Sequence, residues 1–169
     1  MREGRGARKT NETEVSAVWR LDGGGRAELD VGVGYLTHML ELIARHGRFD
    51  LTVRATGDTA VDDHHLTEDT GIVLGEALRE ALGDKAGINR YGSACIPMDE
   101  AMALVSLDIS GRPYLAYDVP LPAAKVGTFD TELVEEFLRA FANHAGITLH
   151  VNLLAGRNTH HSIEAVCKA

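Results

Sequence analysis

The sequence predicts an α+β protein built from two internally duplicated ββαβα halves, each with a mostly antiparallel sheet and helices packed on one face. Three observations predict it. The pattern His-His-x-x-Glu occurs twice, as HHLTEDT from His64 and HHSIEAV from His160, whereas a chain with this composition should show roughly 0.03 such patterns by chance. Residue periodicity passes through the same order of elements before each motif. The strand and loop leading into the second motif also follow those of the first at a nearly constant offset, as expected of a duplication.

Taken in order, EVSAVWRLDGGGRAELDV puts Val15, Ala17, Trp19 and Leu21 on one strand face, then turns through DGGG into a second alternating run. That reads as a hairpin. LTHMLELIARHG has helical spacing and a glycine stop, FDLTVRA alternates again, and Asp62 or Asp63 can cap a long helix, HHLTEDTGIVLGEALREAL. After the loop GDKAGINRYG the order repeats with strands ALVSLDIS and PYLAYDVPL, helix DTELVEEFLRAFANHAG with Asp130 as its cap, strand ITLHVNLL, and HHSIEAVCKA opening a last helix. The expected organisation is one domain, 1–169, made of pseudo-repeats at about 8–84 and 91–169.

The 44% apolar and 25% charged composition suits a folded chain rather than a disordered one. A formal charge of -8 gives no general attraction for nucleic acid or an anionic membrane. No apolar run reaches the ~20 residues of a membrane span, and MREGRGARKT lacks the apolar core of a signal peptide, so a cytoplasmic location is expected. Cys95 and Cys167 have no CxxC spacing and read as two buried thiols. The glycines at 23–25 and 32–34 read as turn and bulge positions, because no GxGxxG or Walker loop surrounds them.

On a helix, residues four apart share a face, so His64 with Glu68 and His160 with Glu164 each form a claw of one nitrogen and one oxygen. His65 and His161 are turned about 100° away and are free to reach a second ion held mainly by the other motif. This suits two metals between two duplicated helices. His38, His46 and His150 are candidates for filling the shells. Imidazole accepts Zn, Fe, Mn, Cu or Ni, so the residues alone leave the ion open. Taken singly, His150 also fits an exposed strand position, and His144 beside Gly146 fits a helix C-terminus. Neither motif is HExxH, which argues against a zinc protease.

DDHHLTEDTGIVLGEAL, INRYG, PMDEAMALVSLDISGRPYL and AGRNTHHSIEA, with RKTNET at the start, closely resemble the imidazoleglycerol-phosphate dehydratase family of histidine biosynthesis. The resemblance covers nearly the whole chain. It implies a duplicated fold like the second domain of ribosomal protein S5, and two manganese ions per site, with another divalent metal able to replace them. It also implies trimers assembling into an octahedral homo-oligomer of twenty-four copies. It assigns His38, His65, His160 and Glu164 to one manganese, and His64, Glu68, His150 and His161 to the other. Glu12 matches a substrate-contacting carboxylate, His38, His46 and Lys168 fall in substrate-binding segments, and Arg90 and Arg112 match phosphate-side arginines. Thr37 stands where the family usually has Asp, a possible orienting partner for His38. Family members also continue past the position of Ala169 into a Ser/Lys tail, so substrate grip and higher assembly are expected to be limited in its absence.

The implied reaction removes water from D-erythro-imidazole glycerol phosphate to give imidazole acetol phosphate, with Glu12 as the general acid or base and the claw residues His64, Glu68, His160 and Glu164 at the catalytic centre. Two alternatives are a dinuclear metal phosphoester hydrolase and a non-enzymatic module assembled by metal.

Overall fold

The computed structural model describes residues 2–169. The first half comprises β1 (Glu3–Lys9), β2 (Thr13–Arg20), β3 (Ala27–Asp30), α1 (Gly34–Gly47), β4 (Asp50–Gly57) and α2 (His64–Leu82). The second comprises β5 (Tyr91–Met98), β6 (Ala101–Asp108), β7 (Tyr114–Asp118), the short pair β8 (Lys125–Val126) and β9 (Phe129–Asp130), α3 (Leu133–Ala145), β10 (Thr148–Ala155) and α4 (Thr159–Lys168). Each half has a four-stranded sheet, ordered β1-β2-β4-β3 and β5-β6-β10-β7. In both, the last pairing, β3 with β4 or β7 with β10, is parallel and the others are antiparallel.

The four helices lie between the two sheets: α2 packs on β1 and β2 and against α3, while α4 packs on β5 and β6 and against α1. Two glycines let α2 and α3 approach closely. A Cβ on Gly71 would sit 2.6 Å from the Phe137 carbonyl oxygen, and one on Gly75 would sit 2.6 Å from that of Phe141. Trp19 joins the halves, meeting Phe49 edge-on at 5.4 Å and Phe141 of α3 at 5.9 Å. An apolar cavity of about 450 Å³, lined in part by Trp19, Leu78, Leu107, Phe141, Leu149 and Ala169, also lies between the halves.

Several expectations need correction. Each half opens with a strand that the periodicity did not reveal, so the repeat is βββαβα across two sheets. In β1 the helix-facing positions include Gly4 and Gly6, where a Cβ would fall 1.9 Å and 2.4 Å from carbonyl oxygens of α2. Close packing there removes the apolar signal. In β5, Tyr91 and Gly92 belong to the strand rather than to the preceding loop.

The DGGG hairpin does not form. Asp50 Oδ1 accepts the backbone N–H groups of Gly24 (2.8 Å) and Arg26 (3.0 Å), which bends the loop around the start of β4. β3 then joins the far side of β4 in parallel. Asp130 lies in β9, and α3 starts at Leu133 after Glu132 without a side-chain cap, because the β8–β9 pair takes up the residues that would have begun the helix. Cys95 is exposed on the outer face of β5. The Cys167 thiol is enclosed, and burial pushes its pKa up to about 12. Asp62 accepts the His64 N–H at 2.8 Å, and His144 Nδ1 lies 2.8 Å from the Ala140 carbonyl in the last turn of α3, whereas α1 ends on Arg48 in the left-handed region (φ 56°) and not on the expected Gly47. No described helix is long and apolar enough to cross a membrane.

The backbone N–H groups of Gly24 and Arg26, together with the Arg26 guanidinium, hold the Asp50 carboxyl at about 2, below the ordinary 3.8. A depressed carboxyl contributes stability above its unfolded value and loses it as pH falls through the folded value. Asp50→Asn should therefore melt below the wild type at neutral pH. The gap should narrow from about pH 4 toward about pH 2 in melts recorded across that range.

Candidate active site

Three predicted ligands meet in one place. His38 on α1 and His160 and Glu164 on α4 present ligand atoms within 4.8 Å of one another. His38 Nε2 is 2.8 Å from Glu164 Oε1, and His160 Nε2 is 3.6 Å from the same oxygen. Asn158 caps α4 by accepting the His161 N–H at 3.2 Å, which fixes the turn carrying the motif. Glu164 is only 6% exposed. Burial alone would raise its pKa, but hydrogen bonds from His38 and from Lys168, whose Nζ lies 3.1 Å from Oε2, outweigh burial and hold the carboxyl below its usual range. A buried, ionised carboxylate facing two imidazoles is a donor set for a divalent cation.

The ring of Tyr35 packs edge-on against His160 at 5.3 Å, and its hydroxyl is buried without a hydrogen-bond partner among the described residues. An open groove of about 440 Å³ adjoins His160, lined partly by Lys125, Arg157 and Thr159. Thr37 gives its hydroxyl to the Val33 carbonyl at 2.9 Å. The carboxylate nearest His38 Nδ1 is Glu41 at 3.9 Å, beyond hydrogen-bond length.

The remaining predicted ligands are dispersed in the single chain. His64 and Glu68 form the expected claw on the first turns of α2, with Nε2 and Oε2 3.9 Å apart. His65 does not join the His38 cluster; its Nδ1 lies 2.9 Å from Asp58 Oδ2. His161 Nδ1 lies 2.8 Å from Glu100 Oε2. His150 is exposed on β10, its ring centroid 6.2 Å from that of Tyr114.

The sequence pattern gave no sign of two supporting carboxylates. Asp58 and Glu100 each engage Nδ1 of the middle histidine of a motif, which leaves Nε2 facing outward. Histidine ligands are commonly held this way, with a carboxylate on the second nitrogen fixing tautomer and ring direction. The hydrogen bond with Asp58 raises the pKa of His65, and that with Glu100 raises the pKa of His161. Glu100 itself is held at about 2 by His161 and by the Asn158 N–H. The duplication contained a clue, since Glu12 and Glu100 occupy matching turns immediately before β2 and β6.

Arg90 and Arg112 both approach Asp108. Arg90 Nε lies 2.7 Å and Arg112 Nη2 3.6 Å from the two oxygens of Asp108. This pair stands at the Tyr91–Asp108 end of the β5–β6 ladder, while Glu100 stands beyond the Met98–Ala101 end. At about 3.3 Å per residue, those ends are roughly 20 Å apart. Glu12 lies exposed in the β1–β2 turn, and His46 is exposed in the last turn of α1.

Residues 31–169 match the family model for imidazoleglycerol-phosphate dehydratase. The chain belongs to the imidazoleglycerol-phosphate dehydratase family. Its activity is accordingly that of a hydro-lyase in histidine biosynthesis. The family's enzyme from Symbiobacterium thermophilum is 60% identical over 168 residues, covering 99% of this chain and 81% of that protein. The Bacillus subtilis enzyme is 57% identical over 169 residues, covering 100% of this chain and 87% of that protein. The crystal structure of the Staphylococcus aureus dehydratase superposes with a TM-score of 0.85 at 47% identity, covering 98% of this chain and 92% of that one. A Pyrococcus furiosus structure also gives 0.85 at 39% identity, covering 96% and 87%.

Removing Glu100 frees the His161 ring to rotate and to change tautomer. Glu100→Ala should lower divalent-metal affinity by about 10–100-fold in a direct titration with Mn²⁺. Glu12→Gln, which leaves these imidazoles untouched, should bind the metal as the wild type does.

Proposed function

We propose that this chain carries out the dehydration at a centre for two divalent metals, manganese by preference, which is completed by a second copy of the chain. The observation that carries this reading is the division of the ligands: His38, His160 and Glu164 gather on one surface, while His65, the fourth of that set, lies on α2 and is held there by Asp58 of the loop after β4. A complementary copy would supply the missing imidazole. The same logic joins His64 and Glu68 of one copy to His150 and His161 of another. Arg90 and Arg112, roughly 20 Å from the Glu100 turn by strand length, also reach a small substrate more readily from a neighbouring copy.

The donor set fits such metals, since it combines neutral imidazoles with ionised carboxylates and has Nδ1 of His65 and His161 already engaged by carboxylates, which leaves Nε2 of each for an ion. When bound, the metals would polarise the substrate's imidazole ring so that it can accept the electrons released at the adjacent carbon. The protein does the rest. Glu12 moves the proton at that carbon, as a mobile carboxylate at the rim of the site. Arg90 and Arg112 exchange Asp108 for the substrate phosphate, which their forked guanidinium groups suit. Lys168 keeps Glu164 ionised. Binding energy from the phosphate end aligns the reacting end.

His64→Ala and His160→Ala each delete one prong of a claw, so both should lose nearly all turnover and show less bound metal by elemental analysis. Wild-type turnover with full metal in either variant would refute the two-claw site. Glu12→Gln should keep its metal and lose kcat with little change in KM, the pattern expected for a group that acts only in the transition state.

A further inference from the structure

The second half of the chain is a built-in control for the first. Thr13 opens β2 and Ala101 opens β6. Arg8 faces Val15 across the β1–β2 ladder, and Ile96 faces Ala103 across β5–β6. Asp69 and Ala165 each follow the glutamate of a His-His-x-x-Glu motif. In the second half these positions are therefore apolar, with Ala101 1% and Ala165 0% exposed. In the first half they are polar and joined. Asp69, only 7% exposed, accepts Nε–H of Arg8 at 2.8 Å and the Thr13 hydroxyl through a short hydrogen bond.

Asp69 is a buried carboxylate whose partner Arg8 keeps 43% of its side chain exposed, and burying such a charge is seldom more stabilising than placing apolar side chains of similar volume there. Here the chain itself shows that Ile, Ala and Ala fill the matching places of this strand–strand–helix unit. The cluster therefore needs an explanation beyond folding, and its hydrogen bonds lead to the β1–β2 turn. Thr13 gives its proton to Asp69, so the 3.2 Å contact between the Thr13 and Thr10 hydroxyls must be donated by Thr10. Thr10 Oγ1 is left with its lone pairs, which accept the N–H groups of Glu12 (3.1 Å) and Thr13 (3.0 Å). The Asp58 N–H secures the Glu12 carbonyl at 3.1 Å. The buried charge thus sets the direction of the whole chain of hydrogen bonds, each polarising the next.

The backbone of Glu12 is pinned on both sides, yet its carboxylate makes no hydrogen bond among the described residues. The matching Glu100 is the reverse: its side chain is held by His161, Arg157 and Asn158.

We propose that Arg8, Asp69 and Thr13 are positioning residues, a polar lock anchored on α2 that fixes the turn bearing Glu12 relative to the metal-binding face of the same helix. The inference rests on Glu12 as the proton-transfer group. The test compares four manganese-loaded variants for kcat, KM, metal content and melting temperature. They are the triple R8I/T13A/D69A, which installs the second-half residues, and the singles Thr13→Ala, Thr13→Ser and Glu12→Gln.

The triple variant should fold and bind metal as the wild type does, with KM changed less than about threefold and kcat lowered about tenfold or more. Thr13→Ala keeps the Arg8–Asp69 pair and should show the same split in milder form, while Thr13→Ser restores the hydroxyl and should recover kcat. Wild-type kcat in the triple variant, alongside a disabled Glu12→Gln, would overturn the lock and leave Glu12 in its role. Wild-type kcat in Glu12→Gln would instead remove the proton-transfer reading and the lock with it. A triple variant that melts far below the wild type or loses its metal would mark the cluster as structural, and Thr13→Ala with unchanged kcat would overturn the lock even then.

Discussion

Two histidines side by side on a helix cannot serve the same ion, because consecutive side chains diverge by about 100°. Everything distinctive about this site follows from that constraint. The rings of His64 and His65 stand 6.0 Å apart at 78°, and those of His160 and His161 stand 6.3 Å apart at 85°. In each motif the first histidine pairs with the glutamate one turn on, while the second is held by a carboxylate from outside the helix. Duplication turns one divergent motif into two complementary ones, and the proposed metal centre brings one copy's spare imidazole to another copy's claw.

The supporting structure is consistent with that division of labour. Glu100 aims His161 and ties down the loop before α4 through the N–H groups of Arg157 and Asn158. Asp58 aims His65, and its own N–H holds the Glu12 carbonyl. The turns before β2 and β6 have thus diverged: one presents a free carboxylate, the other uses its carboxylate as a brace. This is how a symmetric framework comes to hold an asymmetric reaction site.

Much of this was legible in the sequence. The helix-period motifs and alternating strands marked α1, α2, α3, α4, β2, β3, β4, β6, β7 and β10, and the second His-His-x-x-Glu motif marked His160 and Glu164, which the fold gathers with His38. What escaped notice did so for physical reasons. β1 faces α2 with Gly4 and Gly6 because the helix backbone leaves no room for a side chain, so the strand carries no apolar alternation. The loop after β2 looked like a hairpin turn because Asp50, which bends it away, lies some 25 residues downstream. Asp58, Glu100 and Asp69 act through contacts between elements distant in sequence, which local spacing does not encode.

The central claim is that a working centre takes its α2 ligands from one copy and its α4 ligands from another. It is tested most directly by mixing two inactive variants. His64→Ala subunits have an intact α4 surface, and His160→Ala subunits have an intact α2 surface. Mixed in equal amounts without metal and then assembled with Mn²⁺, they should regain roughly a quarter of wild-type turnover, the fraction of randomly paired surfaces in which both are intact. A mixture as inactive as its components, although shown by native mass measurement to have co-assembled, would contradict the account.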